Sequence, residues 1–365
     1  MLVYVITIAL VVANAALAQY IKDNTIVYPP SAKRPLIFFF MAIVFLAMVL
    51  PASLRDRVGT DYAAYVTMFE HPEWFHSPAY GLFIEIVKFF GSITNNYRII
   101  FVVSSVFIYG LIIFCTYLDS DDIAFSLLLF FIMEDYFVSF NVVRQYWAIS
   151  LIIVGIVLYA NRKRKMFLVC VFAAAIVFHP ASLIVLLIPL LCTITFSKRK
   201  SIIIGIVTPI ITIALSSLLK RVIIAYTPYG RYFSTGYGAS TFSVAVELLA
   251  IYVFIYITVI MFCSESSFHE DIRIKLFLSA TLINIGVMGL SFTLTENTYR
   301  LSYFFNPIIA LYFPRVVNRI DIRKNRLIIK TGVIVLFSIW TYLLITHHNQ
   351  NVLPYQSILS NKKFY

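Results

Sequence analysis

Twelve apolar runs punctuate the chain: Leu2–Tyr20, Pro35–Leu54, Arg98–Leu118, Ile123–Met133, Phe137–Ala160, Met166–Phe178, Pro180–Phe196, Ser201–Leu219, Phe242–Cys263, Leu276–Leu294, Tyr299–Pro314 and Leu327–Thr346. A helix crossing the bilayer core takes roughly 20 apolar residues. The pattern therefore predicts an all-α, polytopic integral membrane protein of about 12 transmembrane helices, a single transmembrane domain over residues 1–365. Composition agrees, with 61% hydrophobic and only 13% charged side chains and a mean hydropathy of +0.89. Soluble domains run at about a quarter charged, so a soluble enzyme, a DNA-binding domain and a disordered scaffold are excluded. The first run lacks a basic flank and a small-residue cleavage site, and reads as a retained helix.

Charge sets the orientation. Of 29 Lys and Arg, 18 lie in short segments (Lys22, Lys33–Arg34, Arg162–Lys165, Lys198–Lys200, 264–275 and Arg315–Lys330) that alternation of spans puts on one side. Basic short loops stay cytoplasmic, so the net charge of +12 is accounted for by the membrane and nucleic acid is not expected as a partner. Both termini come out external, together with two larger periplasmic loops, 55–97 and 220–241. Seven of the other 11 basic residues are arginine: Arg55, Arg57, Arg98, Arg144, Arg221, Arg231 and Arg300. A guanidinium holds phosphate through a planar fork where an ammonium acts as a point charge. The outer face is thus suited to an anion.

Arg144, in SFNVVRQYWAIS, sits a turn inside an apolar run. At helical spacing it shares a face with Asn141, Gln145 and Ala148. An ionisable group there marks a polar cavity or is neutralised by snorkelling or by Glu134 or Asp135. Arg300, in ENTYRLSYFFNP, repeats the setting, with an i, i+4 pair to Glu296 as its plain alternative. The two could converge on one anion. His179 marks the apex of a hairpin whose arms are short for a full crossing, a place for an acid/base or phosphate donor or for a merely hydrogen-bonded ring. In LRDRVGTDYAAYVTMFE, Asp61 is either a helix cap or a general base, and Tyr62 and Tyr65 give the loop an aromatic face. Glu85 is the rival carboxylate. The second loop, KRVIIAYTPYGRYFSTGYGAS, interleaves Arg221 and Arg231 with Tyr229 and Tyr232, a composition suited to a phosphorylated oligosaccharide or to an interfacial aromatic belt.

Asp119-Ser-Asp121 matches a metal-binding DxD pattern but falls in a tight turn where short acids cap a helix. Cys115, Cys170, Cys192 and Cys263 lack ligand spacing and read as buried apolar groups. No Walker A, HExxH or GxSxG sequence is present, and no metal or cofactor is expected.

Taken in order, RVGTDYAAYVTMF (57–69), YGLFIE (80–85), FNVVRQYWAIS (140–150), FHPASLIVLLIP (178–189), PYGRYFSTGY (228–237), YRLSYFFNP (299–307) and LPYQSIL (353–359) resemble the EpsG branch of the Wzy-type O-antigen and exopolysaccharide polymerases. The resemblance implies a GT-C-like fold in the bacterial inner membrane, with the active site facing the periplasm. It implies a metal-independent glycosyltransferase that moves a growing glycan from undecaprenyl pyrophosphate onto the next lipid-linked repeat unit. On that footing Asp61, His179 or Glu85 is the proton acceptor, and Arg144 and Arg300 bind pyrophosphate. Arg55, Arg57, Arg221 and Arg231 make secondary phosphate contacts, and Tyr62, Tyr65, Gln145, Tyr229 and Tyr232 contact glycan. The expected partners are the lipid-linked oligosaccharide and the bilayer, with a chain-length regulator left open. A flippase or transporter would also line a cavity with arginines, and an O-antigen ligase would share the donor. Transporters usually show paired halves with interrupted helices, which this chain lacks.

Overall fold

The computed structural model describes residues 1–24, 30–75, 82–194, 197–226, 242–292, 294, 296–347 and 350–359. Among them the secondary structure is helical, without strands; isolated antiparallel bridges join Arg55 to Ser357 and Cys263 to Ile320. Among the described residues eight helices are long and apolar enough to cross a membrane: Leu2–Asp23, Ala32–Leu54, Arg98–Asp119, Val143–Ala160, Lys198–Tyr226, Ala245–Phe262, Ile272–Ser291 and Arg323–Thr346. The remaining four apolar runs form shorter or broken helices, such as Ile123–Ile132 and Pro180–Cys192. This is a multi-pass membrane protein.

The chain divides into two compact units, Met1–Leu183 with Phe337–Tyr365, and Ile184–Leu336. In the first, the helix Leu2–Asp23 turns a stripe of Tyr4, Thr7, Val11, Ala15, Ala18 and Ile21 inward, against the helices Pro30–Leu54 and Ile123–Ile132. Helical spacing puts those six on one face. Asp122, the residue after Asp119-Ser-Asp121, caps Ile123–Ile132 by accepting the Phe125 N–H at 2.9 Å.

The expected continuous span Phe137–Ala160 is broken. A short helix Asp135–Val138 and non-helical residues 139–142 precede the helix Val143–Ala160. Glu134 reverses the chain with φ of 65°. Every residue from 129 to 141 is buried, as it must be, because non-helical backbone near the bilayer core survives only inside protein or a wet cavity. The break carries the adjacent acids Glu134 and Asp135, 1% and 0% exposed. Asp135 accepts the Tyr146 hydroxyl at 2.7 Å.

In the second unit the helix Ile272–Ser291 is the hub, packed by Lys198–Tyr226, Phe242–Phe262, Glu296–Phe304 and Asn306–Asn318. Its start is capped by Asp271, which accepts the Arg273 N–H and also binds Arg315 Nε at 2.6 Å. Lys198–Tyr226 buries small or polar residues, Ser201, Gly205, Pro209 and Ser216, and exposes Ile203, Ile206, Ile210 and Ile213. That inverted pattern belongs to a helix whose solvent is lipid. A Cβ at Gly289 would lie 3.0 Å from the Pro209 backbone, so only glycine admits this close crossing. The second expected loop begins later than the sequence suggests, since this helix runs through Lys220 and Arg221.

Candidate functional site

The first loop is folded by its own short helices and by the C-terminal tail. After the span Ala32–Leu54, Asp56 N–H donates to Gln356 O at 3.0 Å, Gly59 N–H to Asn351 O at 2.9 Å and Ile358 N–H to Leu54 O at 3.0 Å. Asn141, in the broken segment, ties the same pieces together: its Oδ1 accepts Thr60 N–H at 2.6 Å and its Nδ2 donates to Gln350 O at 3.0 Å. Gly59 makes this approach possible. Its φ of 105° lies where side chains are disfavoured, and a Cβ there would come within 2.6 Å of Asn141 Oδ1. Gly59→Ala is therefore expected to destabilise the fold by about 2 kcal/mol or more, read as a lowered thermal midpoint of the purified protein. An unchanged midpoint would show that the loop can shift without cost.

Arg55 is a strut of this arrangement and not the phosphate contact that its residue type suggests. It is 2% exposed. Nη1 donates to Ala52 O and Nη2 to Phe140 O, each at 3.1 Å. The guanidinium carbon lies 4.7 Å from the centres of both the Phe101 and Phe140 rings. Its fork is spent on carbonyls and its faces on aromatics. Arg57, by contrast, is exposed. Arg98 Nη2 lies 3.5 Å from Asp56 Oδ1.

Arg144 stands in the first turn of the helix Val143–Ala160, partly exposed. The first turn of a helix leaves its N–H groups without intrahelical partners; Arg144 N–H donates to the Tyr65 hydroxyl at 3.1 Å. Burial, then the charge of Asp61, push the Tyr65 hydroxyl up to about 12, so it stays protonated. Asp61 occupies the N-cap position of Tyr62–Glu70 without capping through its side chain. The bland alternative for it, a side-chain cap, is thus not what the residue does.

One turn along, Trp147 stacks on Phe107 at 4.4 Å and packs on Phe178 at 5.3 Å, and its Nε1 donates to Ser104 Oγ at 2.9 Å. Phe178 ends a π-helical stretch, Ala174–Phe178, and hands the chain to His179. Such π segments are frequent at functional sites. The aromatic clamp explains how His179 comes within the field of Arg144. Its Nδ1 is sealed from solvent; burial first, and Arg144 second, lower the imidazole from 6.5 to about 3. The ring is therefore a neutral acceptor at ordinary pH.

The sign of the resulting pH dependence is set by the unfolded chain. Below 6.5 it takes up a proton that the folded ring refuses until about 3. Stability then falls as pH drops through that window, by at most about 1.4 kcal/mol per pH unit. His179→Gln is expected to flatten the fall in thermal midpoint between about pH 7 and 5; an identical slope would remove His179 as its source.

The other expected residues are placed differently. Glu85 is exposed and paired with Lys88 at 2.8 Å. Tyr62 is buried, stacked on Phe101 at 4.6 Å with its hydroxyl on Asp56 Oδ1 at 3.2 Å. Tyr65 and Gln145 are buried as well, so neither tyrosine turns an open face to a sugar. In the second unit Arg300 is partly exposed on the 3-10 helix Glu296–Phe304. Beyond that helix, Asn306 Oδ1 receives Tyr252 OH at 2.6 Å and Asn284 Nδ2 at 2.8 Å. Arg221 is exposed. Arg231, Tyr229, Tyr232 and the Glu296 side chain lie outside the described residues.

Two features escape a reading by residue type. One is the burial of Glu134 and Asp135 side by side, acids that the sequence offers only as possible partners of Arg144. The other is Trp74, an exposed aromatic of the first loop at the end of His71-Pro-Glu-Trp, a tight-turn sequence.

Residues 38–357 match the model of a protein family described as EpsG family. No curated protein and no solved structure matches the chain.

Proposed function

The chain belongs to the EpsG family, a membership that carries a polysaccharide-polymerase-like role, and from it we propose a specific reaction. The protein transfers a growing glycan from undecaprenyl pyrophosphate to a new lipid-linked repeat unit at the periplasmic face of the bacterial inner membrane. An acceptor hydroxyl attacks the anomeric carbon of the donor sugar. The new glycosidic C–O bond forms as the bond to pyrophosphate breaks, undecaprenyl pyrophosphate leaves with the electron pair, and the hydroxyl proton passes to a base.

The observation that carries this reading is the gathering of Arg144, Tyr65, Asp61 and His179 from motifs far apart in the chain. Arg144, with the positive end of its own helix, supplies fixed charge where pyrophosphate develops it. Asp61 is the preferred base, being a carboxylate at a partly exposed position. His179 is too reluctant a proton acceptor in the resting protein, and Glu85 is tied to Lys88. Arg57, Arg221, Arg231 and Arg300 keep the role of contacting phosphate or lipid headgroups.

The test is incubation of purified protein with one lipid-linked repeat unit, excess chelator and no nucleotide. A ladder of longer products is expected. An unchanged substrate, or transport without elongation, would replace the polymerase by a flippase, and a single transfer to another lipid acceptor would make it a ligase.

A further inference from the structure

Trp74 is 65% exposed, whereas the other two tryptophans, Trp147 and Trp340, are 6% and 5% exposed. Packing within the protein does not account for so exposed a ring. Nor is the ring loosely held. Pro72 opens a 3-10 turn over Pro72–Trp74, Trp74 N–H donates to His71 O at 3.1 Å and His71 N–H to Thr67 O at 2.8 Å. The His71 imidazole stacks on the Trp74 indole, centres 4.2 Å apart and planes 12° from parallel. Glu73 Oε1 lies 3.3 Å from His71 Nδ1 and orients that ring. One face of the indole is covered by imidazole, and the large exposure leaves the other open.

We propose that His71, Glu73 and Trp74 form a sugar-binding platform on the first loop, with a pyranose ring lying on the open face of Trp74. The identification of that sugar with the glycan being polymerised rests on the function proposed above. The chemistry fits on three counts. An aromatic face takes the C–H face of a pyranose while its polar edge stays wet. The carboxylate of Glu73, itself 59% exposed, accepts from sugar hydroxyls. A turn already ordered by Pro72 and the stacked pair loses little entropy on binding. It also takes the place left by Tyr62 and Tyr65, whose rings are buried.

The competing use of an exposed tryptophan in a membrane protein is as an interfacial anchor. The charges next to this one are acidic: Glu70 ends the preceding helix and Glu73 pairs with the stacked His71, and both are exposed. Segments that settle on anionic membranes carry Lys and Arg instead.

The test uses the full chain in lipid nanodiscs and reads the emission difference between wild type and W74F, which isolates Trp74. The probe is the repeat-unit oligosaccharide freed of its lipid by mild acid. Saturable change of the difference signal with oligosaccharide is expected, with no quenching when the nanodisc carries brominated phosphatidylcholine. E73Q is expected to weaken the oligosaccharide response about tenfold, the equivalent of about 1.4 kcal/mol. Quenching by brominated lipid, or no response to oligosaccharide, overturns the platform. A response in a protein that makes no polymer would refute the polymerase and leave the platform standing; polymerisation without a response does the reverse.

Discussion

Replacing Arg144 with lysine is expected to cut polymer formation by about 100-fold or more while leaving folded yield and thermal midpoint unchanged. Lysine keeps the charge and loses the fork. A diphosphate leaving group spreads its charge over several oxygens, and only the guanidinium meets two of them at fixed geometry. The backbone N–H that donates to the Tyr65 hydroxyl is kept by lysine. Wild-type chain length in Arg144→Lys, at equal protein level, would remove Arg144 from the mechanism.

Arg55→Ala is expected to abolish polymer formation by a different route, through loss of the folded protein. The substitution leaves the carbonyls of Ala52 and Phe140 without their donor in a sealed site and removes a cation held between two phenylalanine rings. Each stranded carbonyl costs about 1–3 kcal/mol and the lost cation–aromatic contacts about 1 more. Together these approach the whole stability of an ordinary domain, about 5–15 kcal/mol. Size-exclusion profiles in detergent should show aggregate for Arg55→Ala and a monodisperse peak for Arg144→Lys. A monodisperse, active Arg55→Ala protein would mean that the strut is dispensable.

The contrast between these two arginines shows what a sequence can and cannot tell. Residue type and side of the membrane put both in the same class. What separates them is the partner: one guanidinium is buried against carbonyls that include one contributed 85 residues away, and such pairings are invisible in a linear pattern. The long spans were legible, because a run of about 20 apolar residues has few other uses. The break at 139–142 was not, since hydrophobicity is the same whether the backbone is helical or reversed at a left-handed Glu134. Of the expected site, Arg144 acts electrostatically on both Tyr65 and His179, and Asp61 acts on Tyr65. The intended sugar contacts Tyr62 and Tyr65 do not face outward, because aromatic side chains on an amphipathic helix serve packing as readily as recognition.

Binding of undecaprenyl pyrophosphate itself, measured by equilibrium titration of the reconstituted wild-type protein against Arg144→Gln, tests the central claim most directly. Affinity is expected to fall at least about tenfold, a loss of about 1.4 kcal/mol, with undecaprenyl monophosphate bound more weakly than the diphosphate by wild type and the preference erased in the variant. Equal affinity of the two proteins for the diphosphate would contradict a pyrophosphate site at Arg144.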